Sequence, residues 1–190
     1  MAGNFFVDGI LHITDIEGYD HMLFLLAMCA PFSLAQWKPV FWLVTAFTLG
    51  HSLSLALAAL DVIRFSSDVI EFFIPVTILL TAAFNLTGRG KISNVSLFRY
   101  VTALVFGVVH GMGFSSFFRM ISKEGEGFIG QLFLFNLGVE AGQILIVSAI
   151  LAITALLSVA LPTMKGKTGS FFSITAMILS LMLAIEKWPF

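Results

Sequence analysis

Long apolar segments separated by short polar ones dominate this chain. They cover residues 20–36, 39–60, 69–86, 98–118, 128–160 and 170–187, and few charges interrupt them. A helix needs roughly 20 predominantly apolar residues to cross a bilayer. The pattern therefore predicts an all-α integral membrane bundle of about six transmembrane helices, which form one transmembrane domain over residues 1–190.

The segment before the first predicted span has a different pattern. Residues 4–16 are too short and too acidic to cross a membrane. On a helix, Phe6, Gly9, Ile10 and Ile13 would share one face. We expect a short amphipathic helix at the membrane interface, lying against the bundle.

Composition supports a membrane protein. Of the 190 residues, 58% are hydrophobic and only 11% are charged, and the mean hydropathy is +1.00. About a quarter of the residues in a soluble domain are charged. The net charge of −1 gives no basic surface for nucleic acid. The single cysteine, Cys29, excludes an internal disulfide.

The distribution of basic residues predicts an orientation. Three of the predicted loops, those after the first, third and fifth spans, together hold six lysines and arginines, and the opposite side holds four. Because lysine and arginine are enriched on the cytoplasmic side, we expect both termini to be extracytoplasmic. The six are Lys38, Arg89, Lys91, Arg99, Lys165 and Lys167, and the four are Arg64, Arg119, Lys123 and Lys187.

Ionisable residues interrupt several of the predicted spans. Asp20 and His21 open the first span, and His51, His110 and Glu140 lie inside later ones. An ionisable side chain at the membrane centre costs about 2.5–3.5 kcal/mol on insertion scales, so such residues are usually paired or functional. With helices of alternating direction, these positions fall at similar depths in the outer half of the membrane. We therefore predict one polar, metal-binding site.

The candidate residues fall into two sets. Neutral imidazole with carboxylate suits Ni²⁺, Co²⁺, Zn²⁺, Cu²⁺ or Fe²⁺, and no cysteine accompanies these positions to form a thiolate site. An alternative is that Glu140 and single histidines bridge helices by hydrogen bonds, with His12 and Asp15 solvated at the interface. The candidate ligands are His12, Asp20, His21, His51, His110 and Glu140, and the supporting polar residues are Asp15, Thr48, Glu71, Asn136 and Gln143.

At these motifs the chain resembles the HupE/UreJ family of bacterial membrane proteins. The resemblance implies nickel or cobalt handling and a bacterial inner-membrane location. The segment around His51, together with His12 and Asp20-His21, also looks like the signature of nickel–cobalt permeases. The resembling stretches are Gly9–His12, Gly18–Leu26, Phe47–Ala56, Gly107–Phe114 and Phe135–Gln143.

Three functions remain open at this point. The first is a divalent-metal transporter or accessory permease. The second is an intramembrane zinc-type hydrolase, in which histidines hold the metal and Glu140 or Asp20 is the general base. The third is a structural or metal-sensing subunit. We expect the bilayer and a metal ion as partners and no nucleic acid, and the sequence leaves a homo-oligomer open.

Overall fold

The computed structural model describes residues 4–16, 18–63, 66–87, 96–121, 127–164 and 166–189. These residues form seven α-helices and two short 3-10 turns, with no strand in the described ranges. The helices are α1 (Phe5–Thr14), α2 (Asp20–Cys29), α3 (Trp37–Ala59), α4 (Ser67–Leu86), α5 (Leu97–Ile121), α6 (Phe128–Ala160) and α7 (Thr168–Glu186).

Five of the helices, α3 to α7, are long and apolar enough to cross a membrane. Each coincides with a predicted span to within three residues at either end. Helix α6 has 33 residues, which gives about 50 Å of helix at 1.5 Å per residue. Because the hydrocarbon core is only about 30 Å thick, α6 must tilt or extend beyond it. The all-α membrane bundle predicted from the sequence is confirmed.

The first predicted span, 20–36, is not one continuous helix. Helix α2 has ten residues and ends at Cys29, two residues before Pro31. Proline cannot donate a backbone hydrogen bond, so it disfavours continuation of the helix. Ten residues give about 15 Å of helix, which is half of a crossing.

The neighbours of the short helices establish the direction in which each one runs. Asn85, at the end of α4, donates a hydrogen bond to the carbonyl oxygen of Ala27 at 2.7 Å. Asp20, at the start of α2, lines a cavity together with Glu71 and Pro75 in the first half of α4. Helix α2 is therefore parallel to α4.

Helix α1 runs in the same direction as α6. A Cβ on Gly138 would meet the backbone of Phe6, and a Cβ on Gly142 would meet Ile10 and Ile13 further along α1. The glycines allow the two backbones to approach closely, as in other membrane helix pairs. Helix α1 is thus packed against α6, in agreement with the short helix that the sequence predicted to lie against the bundle.

Helices α1 and α2 together form a broken crossing. Rings of α5 and α6 meet in antiparallel order, with Phe118 against Phe128 and Phe114 against Phe135. Helix α4 is antiparallel to α5, because Thr77 contacts His110 and Asn85 contacts Arg99. Helices α4 and α6 therefore share a direction, and so do α1 and α2. His12 near the end of α1 and His21 at the start of α2 have ring centroids 4.7 Å apart, so the two half-length helices follow one another and together make up the first crossing.

A second glycine contact fixes the α3–α5 pair. A Cβ on Gly50 would clash with the carbonyl oxygen of Leu104, and a Cβ on Gly107 would clash with that of Phe47. The adjacent residue His51 and the nearby His110 are both fully buried. This close parallel packing brings the two histidines to the same level of the bundle.

Candidate metal centre

Three histidines converge where the first crossing is broken. His12 is near the end of α1, His21 is at the start of α2, and His51 is in the middle of α3. Each offers a ring nitrogen, and these three nitrogens all lie within 4.8 Å of one another. The three ring centroids are 4.7 to 6.2 Å apart. All three histidines are among the candidate ligands that the sequence predicted.

The nitrogens of this group have unused hydrogen-bonding capacity. Within the described ranges, no hydrogen-bond partner reaches the buried Nε2 atoms of His12 and His21 or either ring nitrogen of His51. A buried polar atom without a partner costs about 1–3 kcal/mol. A neutral imidazole nitrogen is also a common metal ligand. The group therefore has the composition of a cation site in which metal coordination would satisfy the nitrogens.

His110 joins the group from α5. Its ring centroid is 5.1 Å from that of His21. The Thr77 hydroxyl donates to the carbonyl oxygen of Ile74 at 2.7 Å, so its oxygen is free to accept the Nε2–H of His110 at 3.0 Å. This tautomer leaves the lone pair on Nδ1, which is buried without a hydrogen-bond partner among the described residues.

Asp20 supplies negative charge beside the group. Its Oδ1 atom is 2.8 Å from Nδ1 of His21 and accepts the backbone N–H of His21 at 2.6 Å. A carboxylate on the second nitrogen of an imidazole orients the ring and raises its basicity as a metal ligand. Asp20 thus lies in contact with a candidate ligand, on the ring nitrogen opposite Nε2 of His21, which has no hydrogen-bond partner among the described residues.

Helix α6 contributes its polar residues to two hydrogen bonds with α3. Glu140 accepts a hydrogen bond from the Thr45 hydroxyl at 2.6 Å, and Gln143 accepts one from Thr48 at 2.7 Å. Glu140, a predicted ligand, is outside the group of three histidines. The structure thus places Glu140 and Gln143 in contacts between α6 and α3.

The remaining predicted residues are spread around the site. Asn136 lies beside His51, and its Nδ2 group donates to the carbonyl oxygen of Leu132. Asp15 is the exposed residue that caps the end of α1. Glu71 forms an ion pair with Lys187, with 2.9 Å between Oε2 and Nζ. Glu71 is therefore at the mouth of the bundle and not among the imidazoles.

Two features of the site were missed by the sequence reasoning. Thr77 was not singled out, although it is a hydroxyl residue two positions after the helix proline Pro75. The aromatic side chains around the site were also missed: the Phe114 ring is tilted against His12 with centroids 3.6 Å apart, and Phe24 and Phe47 contact His110. Apolar rings exclude water and so strengthen electrostatic interactions at the site.

Comparison with known proteins identifies a family. A family described as HupE / UreJ protein matches residues 1–188. No curated protein and no solved structure gives a significant match. The five long apolar helices of the chain fit a multi-pass membrane protein. Because the match covers essentially the whole chain, the chain belongs to the HupE/UreJ family, which is associated with nickel and cobalt handling.

Proposed function

We propose that the protein transports a divalent transition-metal ion of the nickel and cobalt class across the membrane. His12, His21 and His51 would bind the ion at the break in the first crossing, with His110 and Asp20 beside them. The observation that carries this proposal is the convergence of three imidazoles whose ring nitrogens lie within 4.8 Å of one another. Imidazole is a ligand that these metals share.

The fit to an ion needs a small movement of the rings. Two ligand nitrogens at about 2.1 Å from a tetrahedral metal are about 3.4 Å apart. The nitrogens here lie within 4.8 Å of one another. Ring rotations that move each nitrogen by about an ångström would bring them to coordination distance. His12 and His21 are on separate half-helices, so each ring can adjust independently of the other.

A polar cavity at the opposite end of the bundle supports transport. It has a volume of about 410 Å³ and is lined by hydroxyl and amide groups, including Ser33, Asn85, Thr154, Ser158 and Ser173. Uncharged oxygen atoms hold transition-metal ions weakly compared with imidazole. An ion released from the histidines could leave through such a cavity.

The same proposal includes a location and an orientation. We place the protein in the bacterial cytoplasmic membrane with both termini extracytoplasmic. This rests on the family and on the distribution of lysine and arginine. The imidazole group would then receive its ion from the side on which the termini lie.

A zinc-dependent hydrolase is the second candidate, because three histidines form the ligand set of several catalytic zinc sites. Asp20, which contacts His21, would be the general base. A transporter moves the metal ion across the membrane, whereas a hydrolase keeps it bound, so a measurement of metal flux distinguishes the two candidates.

The test combines metal content with flux. Purified wild type, His51→Ala and the control Thr102→Ala, whose hydroxyl bonds to carbonyl oxygens of its own helix, would be assayed by elemental analysis and by Ni²⁺ and Co²⁺ uptake into proteoliposomes. We expect wild type and the control to bind and transport metal, and His51→Ala to lose both activities. Tightly bound zinc without flux would favour the hydrolase. A wild type that binds no metal would reject both candidates.

A further inference from the structure

A charged cavity opens at the end of the bundle next to the start of α2. It has a volume of about 350 Å³ and lies between α2, α4 and α7. Its lining includes three carboxylates, Asp20, Glu71 and Glu186, and one ammonium group, that of Lys187. The net charge of these four groups is negative, which would attract a cation.

One residue connects this cavity to the imidazole group. Asp20 is part of the cavity wall, and its Oδ1 atom is 2.8 Å from the ring of His21. The His21 side chain is only 7% exposed, and its Nε2 atom has no hydrogen-bond partner in the described part of the chain. The Asp20 carboxylate therefore lies between a cation in the cavity and the buried His21 ring, whose Nε2 atom lacks a partner within the described ranges.

An apolar cavity nearer the opposite end of the bundle, where α4 ends and α5 begins, is unsuited to a cation. It has a volume of about 390 Å³, and Phe24, Met28, Leu43 and Phe106 are among the apolar side chains that line it. Its charged residue is Arg99, which would repel a metal ion. The charged cavity at Asp20 is therefore the favourable route to the histidines.

Lys187 already forms an ion pair with one of the cavity's carboxylates, that of Glu71. Its Nζ atom is 2.9 Å from Oε2 of Glu71, and the two side chains are 44% and 48% exposed. The hydrogen bond to Glu71 raises the pKa of the Lys187 ammonium, which keeps it charged. Exposed ion pairs of this kind contribute little to stability, so a divalent cation can compete with the ammonium group for Glu71.

We infer that this cavity is the vestibule through which a divalent cation reaches the imidazole group, and that Lys187 is a cationic gate that the arriving ion displaces from Glu71. This inference rests on the proposed function. Glu71 and Lys187 control how fast the cation reaches the imidazole group, whereas the histidines determine how tightly it is bound. Asp20 passes the ion from the vestibule to His21.

The first experiment measures how fast Co²⁺ binds to the purified protein, by stopped-flow absorbance. We expect Glu71→Gln to slow association by about tenfold, because a carboxylate that attracts the ion is lost and Lys187 remains. Lys187→Gln should accelerate association by about threefold or more, because the competing charge is gone. The amount of Co²⁺ bound at saturation should match wild type in both variants, because neither residue is a ligand.

A second ion pair at the same end of the bundle provides the control. Asp61 and Arg119 lie 3.2 Å apart and are 45% and 38% exposed. Asp61→Asn and Arg119→Gln change the same charges outside the vestibule and should leave the association rate as in wild type. Rate changes of equal size in both pairs would show a general surface field and overturn the inference.

A blocked vestibule gives an independent result. Leu183 lines the cavity from α7, and the native Cys29 is only 1% exposed, so a bulky thiol reagent would modify Leu183→Cys selectively. Modification should prevent Co²⁺ loading, whereas modified Leu60→Cys, a 62% exposed site beyond α3, should load normally. Normal loading of modified Leu183→Cys would reject the vestibule alone. Absence of Co²⁺ binding in unmodified wild type would reject the proposed function as well.

Discussion

His12 and His21 are nine positions apart in the chain, yet their ring centroids are 4.7 Å apart. In one continuous helix, nine residues would place them about 13.5 Å apart along the axis and on opposite faces, because each residue turns by about 100°. The break between α1 and α2 removes both obstacles. The pairing of these two rings is thus a property of the interrupted backbone.

Asp20 and Glu140 provide a direct comparison of two carboxylates. Asp20 contacts a ring nitrogen of His21, while Glu140 accepts a hydrogen bond from Thr45. We expect Asp20→Asn to weaken metal binding by about 10- to 100-fold, in the range found when a partner of a ligating imidazole is lost. Glu140→Gln, which keeps a hydrogen-bond acceptor for Thr45, should lose much less.

Metal titration of the two variants, purified in parallel at about pH 7.5 where unperturbed imidazole is neutral, measures the difference. Gln143→Ala serves as the control, because it removes a hydrogen bond to Thr48 on the same pair of helices. A loss in Glu140→Gln as large as that in Asp20→Asn would restore Glu140 as a ligand, as the sequence predicted.

The sequence predicts the long elements better than the broken one. Each of α3 to α7 contains an apolar run that approaches or exceeds one bilayer thickness, so its existence follows from composition. The break does not, because the apolar run after Asp20 continues to Gln36 in the sequence while the helix stops at Cys29. The histidines were predictable from the cost of burying them. The position of His12 in the group depends on the close contact of α1 with α6, which the glycine pair Gly138 and Gly142 alone did not identify.

The α3–α5 contact should be intolerant of a single methyl group. Gly50→Ala would place its Cβ against the backbone of Leu104, and backbone cannot move aside as a flexible side chain can. Overpacking of this kind costs about 1–3 kcal/mol. We expect a lower melting temperature in detergent and loss of metal binding, because His51 follows Gly50 directly.

Gly130→Ala is the matched control on α6, since nothing lies within 4 Å of a Cβ at that position. Alanine favours helix over glycine by up to about 1 kcal/mol, so this variant should be as stable as wild type or slightly more. If Gly50→Ala had the same melting temperature as Gly130→Ala, the α3–α5 contact would be looser than the structure indicates.

At the scale of the whole molecule, the crossings add up to an even number. The broken crossing of α1 and α2 joins the five long helices, so the two termini should lie on the same side of the membrane. Single cysteines introduced near residues 4 and 189 would be labelled with a membrane-impermeant reagent in intact spheroplasts; the native Cys29 is buried. We expect both to be labelled from outside, and labelling of only one would contradict the topology.

The broken crossing also has a consequence for synthesis of the protein. Helices α1 and α2 are each ten residues long, and a segment of that length is too short to be inserted as a spanning helix by itself. The close backbone contacts of α1 are with α6, whose residues are made more than 110 positions later in the chain. The N-terminal segment must therefore wait at the membrane until α6 has left the ribosome. We expect α1 of nascent chains truncated before residue 128 to remain open to protease, and α1 of the full chain to be protected. The first helix to be made would thus find its place only after one of the last, and the metal centre would form only once translation is nearly complete.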